Sequence, residues 1–289
     1  MRCDDGSMSR RWSTPLISVG LAAACGFGML WVIGAHSAHG EEAGDVSSGL
    51  ERGEDRLPSS SHSNTGTRSS ALPPMSRVVD ERTIIGRSVR GRPIRAEEMG
   101  NPASERRLLL VGCLHGNECA GIAIAKALAA EPSPPNADVW IVFDFNPDGR
   151  ALRIRQNARG VDLNRNFPFR WRPIGVPGTV FYSGTRASSE RETKVAIHFI
   201  DAVRPTISIW FHQHLDVVDL SGGSARVERR YARMVGLQAR RLPRYPGSAT
   251  TWQNHAFPGT SAFVVELPRF LSSRSAERYA DAALALLAS

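Results

Sequence analysis

The chain has 289 residues, 42% of them hydrophobic, and a formal net charge of +8, which is enough apolar material for a substantial core in one large domain or two small ones. The positive charge comes from arginine, since Lys126 and Lys194 are the only lysines; it favours polyanionic partners, although a codon bias towards arginine explains it equally well. No nucleic-acid motif and no alternation of aromatic and basic residues is present, so we exclude nucleic acid as a partner.

The first forty residues have the layout of an export signal. Two arginines precede an apolar segment at 16–35, and small residues and two glutamates follow it. The segment is also long enough to remain as a membrane anchor, whereas a signal peptide would be cleaved near Ala38 or Gly40. We therefore predict that 1–40 is a signal peptide or anchor and that the protein is exported. It would be extracellular, periplasmic or membrane-anchored, facing the cell wall.

The segment 41–80 is rich in Ser, Gly, Arg, Glu and Pro and has few large apolar residues. Such a composition cannot offset the entropy lost on ordering, so we predict a disordered tether. The catalytic domain is then expected at 81–289.

Strands and helices are expected to alternate through this domain. A hairpin at 83–89 and 93–99 is followed by buried strands at 108–113 and 139–143, strands at 206–211 and 261–265, and helices at 117–130, 188–203, 225–241 and 276–287. Asn117 is the expected cap of the first helix, and Ser189 with Glu192 forms a capping box for the second. The pattern predicts one α/β domain with a mixed, mostly parallel, twisted sheet flanked by helices.

Candidate metal ligands follow the first buried strand, Leu108 to Val111. His115 and Glu118 lie where this strand ends, and in open α/β sheets ligands bind at the carboxyl ends of strands. An imidazole and a carboxylate suit Zn²⁺, which takes three protein ligands in catalytic sites. Cys113 and Cys119 flank the pair; a bridge between them is one alternative, but the sequence favours two buried thiols.

A long polar loop, 155–168, has no hydrophobic pattern, and such loops inside compact domains are usually functional. Guanidinium groups bind carboxylates bidentately, so Arg165 with neighbouring Asn164 suits a peptide that ends in a carboxylate. The loop therefore predicts a substrate site.

Two later strands end in residues that can complete the site. One carries His212 and His214, of which we assign His212 as the third ligand and His214 as a support or pocket wall. The other ends at Glu266, where a carboxylate would cost free energy unless paired or used. Glu266 is the candidate general base.

Together these residues make the chain resemble the zinc carboxypeptidase family, in particular its bacterial murein peptide amidase branch. The resemblance covers 83–287 and is carried by HGNE at 115–118, NPDG at 146–149, NARGVDLNRNFP at 157–168, YSG at 182–184, FHQ at 211–213 and VVELP at 264–268.

The resemblance implies one Zn²⁺ held by the His–Glu–His set, with Glu266 taking a proton from the attacking water. It implies that Arg155 stabilises the oxyanion, with Arg159 as the alternative. It also implies that Asp162 orients the first histidine and that Tyr245 is a pocket tyrosine. The position that sets side-chain preference falls near Thr251, which carries no charge, so a preference for C-terminal Lys or Arg is not supported.

The expected substrate is a peptide or amide bond near a free carboxylate, in a murein peptide. The alternatives are a general carboxypeptidase that releases C-terminal amino acids and an aspartoacylase-like deacylase of N-acyl amino acids. A catalytically dead cell-wall binding protein is a further alternative, which the occupied ligand and base positions disfavour.

Overall fold

A computed structural model describes residues 79–288. The predicted signal or anchor, 1–40, lies outside this part of the chain, as does nearly all of the predicted tether. The first strand begins at Val79, two residues before the predicted start of the catalytic domain at residue 81, so the folded part starts slightly earlier than expected. Within 79–288, no helix combines the length and apolarity needed to span a bilayer.

The described part of the chain contains eight strands and six α-helices. The strands are β1 Val79–Arg87, β2 Pro93–Gly100, β3 Arg107–Val111, β4 Asp138–Val142, β5 Ile207–Gln213, β6 Val217–Asp219, β7 Gln238–Arg240 and β8 Ser261–Leu267. The helices are α1 Gly121–Ala129, α2 Pro147–Leu152, α3 Arg191–Val203, α4 Ala225–Val235, α5 Ala249–Ala256 and α6 Ser273–Ala285.

The strands form one sheet in the order β1-β2-β4-β3-β5-β8-β6-β7. Its centre, β4-β3-β5-β8, is parallel, whereas β2 pairs antiparallel with both β1 and β4, and β8 pairs antiparallel with β6. The predicted class, an α/β domain with a mixed and mostly parallel sheet flanked by helices, is confirmed.

Two hydrophobic layers cover the sheet because its central strands are apolar on both faces. Along β3, Leu108 and Leu110 pack with α1, α4 and α6, and Leu109 and Val111 pack on the other side with α3 and α5. All four side chains are fully buried. Such burial on both faces holds the strand ends rigidly, which positions the residues that follow them.

Several helix boundaries differ from the prediction, and three of these differences have local causes. α1 begins at Gly121 and Asn117 does not cap it; a Cβ on Gly121 would lie 2.5 Å from the Gly112 carbonyl oxygen, so this close approach requires glycine. α4 ends at Val235 because Gly236 is left-handed, with φ of 74°. The expected capping box at α3 is absent, since Ser189 donates to Glu190 instead.

Candidate functional site

The candidate site lies at the carboxyl ends of the central parallel strands. His115 follows β3, while His212 and Glu266 lie near the ends of neighbouring β5 and β8, where they are register partners. The three residues therefore meet at one edge of the sheet, as the positions of the predicted strand ends suggested.

His115, Glu118 and His212 converge closely enough to bind one metal ion. The Nδ1 atom of His115 lies 2.9 Å from Glu118 Oε2 and 3.0 Å from His212 Nδ1, and His212 Nδ1 lies 3.2 Å from the same carboxylate oxygen. One donor atom from each residue falls within 4.8 Å of the other two. Two imidazoles and one carboxylate are a donor set that fits zinc.

The electrostatics of two of these residues, His212 and Glu118, suit metal binding. Burial lowers the pKa of His212 to about 4, so its imidazole is neutral near pH 7. Burial opposes the charge of Glu118, but hydrogen bonding to His115 and to His212 holds the pKa of this carboxyl well below its usual range. A neutral imidazole and an ionised carboxylate are the forms that coordinate metals.

The Asp162 carboxylate hydrogen-bonds to the His115 imidazole on the side away from Glu118. It is fully buried, and its Oδ1 lies 3.0 Å from His115 Nε2, the ring nitrogen that points away from Glu118. The same carboxylate accepts from the backbone N–H of Asn164, which fixes it at the start of a 3-10 turn. This is the contact that orients a ligating histidine.

Arg155 lies against two acidic groups of the site and lines its cavity. Its Nε donates to Asp162 over 2.9 Å and its Nη1 to Glu118 over 2.6 Å. Arg159, the alternative, is exposed and lies 4.0 Å from Glu190, outside the cavity. The reason is a tight turn in which Asn157 Oδ1 accepts from the backbone of Arg159.

Glu266 presents a carboxylate oxygen without a partner. Its Oε2 is buried and makes no hydrogen bond, a condition that only Asp138 Oδ1 and Thr193 Oγ1 share among side-chain atoms of residues 79–288. Burial and the nearby charge of Glu118 raise the pKa of Glu266 to about 7. A buried and unpaired oxygen facing the cavity is available to accept a proton.

The predicted carboxylate-binding residues lie in the same cavity. Arg165 donates to the Asn164 carbonyl oxygen over 2.8 Å, and its guanidinium stacks 4.1 Å from the Tyr245 ring and 5.7 Å from Phe181. The Asn164 side-chain oxygen accepts from the backbone N–H of Ala249, so its amide is held in place. Tyr245 is half exposed and lines the cavity with both residues.

One predicted position is wrong. His214 is exposed and outside the cavity, because β5 ends at Gln213 and the alternation along the strand stops there. Gln213 lines the cavity instead of His214. Its side-chain oxygen accepts from the backbone N–H of Ala120, and its side-chain nitrogen donates to the Pro268 carbonyl oxygen. Near Thr251, the residue that lines the cavity is its uncharged neighbour Thr250, whereas the Thr251 hydroxyl pairs with that of Ser248.

A disulfide joins Cys113 and Cys119, with sulfur atoms 2.00 Å apart. The expectation of two buried thiols is therefore wrong. The bridge encloses the loop that carries His115 and Glu118, so the first two candidate ligands lie within a covalently closed segment.

Sequence reasoning missed an ion pair in the cavity wall. Arg244 Nη1 donates to Asp219 Oδ2 over 2.6 Å, and both residues line the cavity. No motif marks them; they meet because β6 and β7 pair in parallel, with Asp219 opposite Arg240.

Comparison with known proteins identifies relatives of this arrangement. The family model for zinc carboxypeptidases matches residues 75–230. Murein peptide amidase A of Vibrio campbellii is 32% identical over 225 residues, covering 71% of this chain and 86% of the relative. The amidase of the same name from Escherichia coli K12 is 30% identical over 145 residues, covering 46% of this chain and 60% of the relative.

Solved structures have the same fold. The murein-tripeptide amidase of Escherichia coli O157 matches with a TM-score of 0.60 and 27% identity, covering 77% of this chain and 96% of that one. Carboxypeptidase A of Helicoverpa armigera matches with a TM-score of 0.63 and covers 73% and 68% of the two chains. Its 18% identity supports the fold alone.

Proposed function

Because the chain belongs to the zinc carboxypeptidase family, we propose that it hydrolyses a peptide or amide bond beside a free carboxylate in murein peptides. Its class is that of a zinc-dependent hydrolase. The observation that carries the proposal is one cavity that combines a His–Glu–His donor set, an unpartnered carboxylate oxygen and a guanidinium group.

His115, Glu118 and His212 would hold the zinc ion. When bound, zinc polarises a carbonyl group and makes water nucleophilic near neutral pH. Glu266 is placed to take a proton from the attacking water at its free oxygen and to deliver it to the leaving nitrogen.

The residues of the 155–168 loop would orient the substrate. Arg165 and the amide of Asn164 would bind the free carboxylate beside the bond that is cut, as a bidentate guanidinium contact. Arg155 retains N–H groups beyond those used on Asp162 and Glu118, with which it would stabilise negative charge on the carbonyl oxygen.

Two observations support a murein substrate. Two relatives, 32% and 30% identical to this chain over the matched residues, are named murein peptide amidase A. The sequence at 1–40 favours export, which would bring the enzyme to the cell wall. We include this location, with attachment through 16–35 as its membrane-bound form, in the proposal; N-terminal sequencing of the mature protein tests it.

The direct test offers zinc-loaded enzyme the tripeptide L-Ala-γ-D-Glu-diaminopimelate and follows its products by mass spectrometry. We expect free diaminopimelate and the dipeptide, and no products from a Glu266→Gln variant that has the same zinc content. Peptides with apolar or basic C-termini and N-acyl amino acids form the other arms. If only the former release C-terminal amino acids, the enzyme is a general carboxypeptidase; if only the latter are cut, it is a deacylase.

A further inference from the structure

We propose that Arg244 determines specificity by binding a carboxylate at the end of the substrate's side chain, and that Asp219 holds it in place. The inference rests on the proposed function, since it concerns the C-terminal residue whose main-chain carboxylate would meet Arg165. The substrate class is a peptide whose last residue carries two carboxylates.

Arg244 is anchored from one side only. Its Nη1 donates to Asp219, its Nη2 to the Leu220 carbonyl oxygen, and its side chain remains 33% exposed. A guanidinium group has five N–H donors in a planar fork, so three remain for a ligand.

The partner of Arg244 is itself fixed. Asp219 is buried at 4% exposure, and its carboxylate also accepts from the backbone N–H of Leu242 over 2.8 Å and from the Ser221 hydroxyl over 2.8 Å. Three donors thus share its charge, and Arg244 is only one of them. The guanidinium is therefore oriented in advance, which lowers the entropy lost when it binds an anion.

Besides Arg155, two arginines line the cavity, and their guanidinium groups suit two carboxylates. Within residues 79–288, Arg165 makes no hydrogen bond or ion pair with a carboxylate, so its guanidinium can bind one from the substrate. Arg244 lines the same cavity. A substrate whose C-terminal residue has a single carboxylate would bind only one of these two arginines. Ser248 and Thr250 line the same cavity, and an apolar substrate side chain would leave the remaining N–H groups of Arg244 without partners.

The experiment compares substrates that differ by one side-chain carboxylate. One pair is L-Ala-γ-D-Glu-diaminopimelate and its L-lysine counterpart. The other pair is N-benzoylglycyl peptides that end in 2-aminopimelate or in 2-aminoheptanoate, which has a methyl group in place of the distal carboxylate. For each pair, the ratio of kcat/KM is measured for wild type, Arg244→Gln and the matched control Arg241→Gln, whose exposed side chain lies outside the cavity.

We expect wild type to favour the carboxylate-bearing substrate, and Arg244→Gln to reduce that ratio by about 10- to 100-fold while Arg241→Gln preserves it. An equal loss on both members of a pair would mean a purely structural role and overturns the proposal. If Arg244→Gln does not fold, a wild-type ratio near one overturns it just as well. Selectivity confined to the aminopimelate pair, without cleavage of either murein peptide, supports Arg244 while refuting the murein substrate.

Discussion

The two halves of the cavity are built differently. The metal and base half consists of strand ends, where His212 and Glu266 stand opposite each other in hydrogen-bonded β5 and β8. The substrate half consists of loops, with Arg165 in the 155–168 loop and Tyr245 between β7 and α5. Reactive groups need fixed separations, which a packed sheet provides, whereas loops adapt the wall to a substrate. Chemistry and specificity should therefore be separable by mutation.

The largest effect is expected where the strand half loses a ligand. His212→Ala should lower bound zinc from one per chain towards zero and reduce hydrolysis to background, because two donors do not complete the set. Elemental analysis and activity on the tripeptide measure both. His214→Ala is the matched control, since that side chain is exposed and outside the cavity; zinc loss there instead would reverse our assignment.

Glu266→Gln should separate metal binding from turnover within the same half. The amide has nearly the same shape but cannot accept the proton, so kcat should fall by about 10²- to 10⁴-fold with zinc retained. Steady-state kinetics on metal-loaded, folded protein test this. Retained turnover would remove Glu266 from the mechanism.

Arg165→Gln tests the loop half. Loss of a charge-assisted, bidentate contact should lower kcat/KM by about 10- to 100-fold, mainly through KM, with zinc content unchanged. Arg159→Gln is the control from the same loop, because its exposed side chain lies beside Glu190. If both variants lose activity equally, Arg165 has no special role in substrate binding, and the proposed separation of the cavity into a chemical half and a substrate half is wrong.

The smallest effect is expected for the Cys113–Cys119 disulfide, which closes the loop that carries His115 and Glu118. The cysteines are six positions apart, and closing such a loop restricts the unfolded chain. Replacing both with serine should lower the free energy of unfolding by about 2 kcal/mol in urea titrations. Reduction of wild type should give the same shift. No shift on reduction would show that the thiols are free.

Sequence predicted the strand half better than the loop half. The apolar run before His115 and the strand before Glu266 show where side chains emerge, because burial on both faces leaves a recognisable pattern. The positions of Arg155 and Arg159 depend on a turn held by Asn157, and the ion pair of Asp219 with Arg244 depends on strand pairing across the chain. Such contacts are tertiary and leave no local pattern. For the same reason the sequence left the disulfide as the less favoured alternative, since its formation requires a loop that brings the two Cα atoms to 4.7 Å.

The register between β5 and β8 also limits how this protein can change in evolution. His212 and Glu266 share a face only while Ile207 pairs with Ser261 and each later residue with its counterpart. Insertion or deletion of one residue within either strand would turn every later side chain to the opposite face. Length variation among homologues should therefore fall in the connecting segments, such as 168–190 and 241–248, while these two strands keep their residue count.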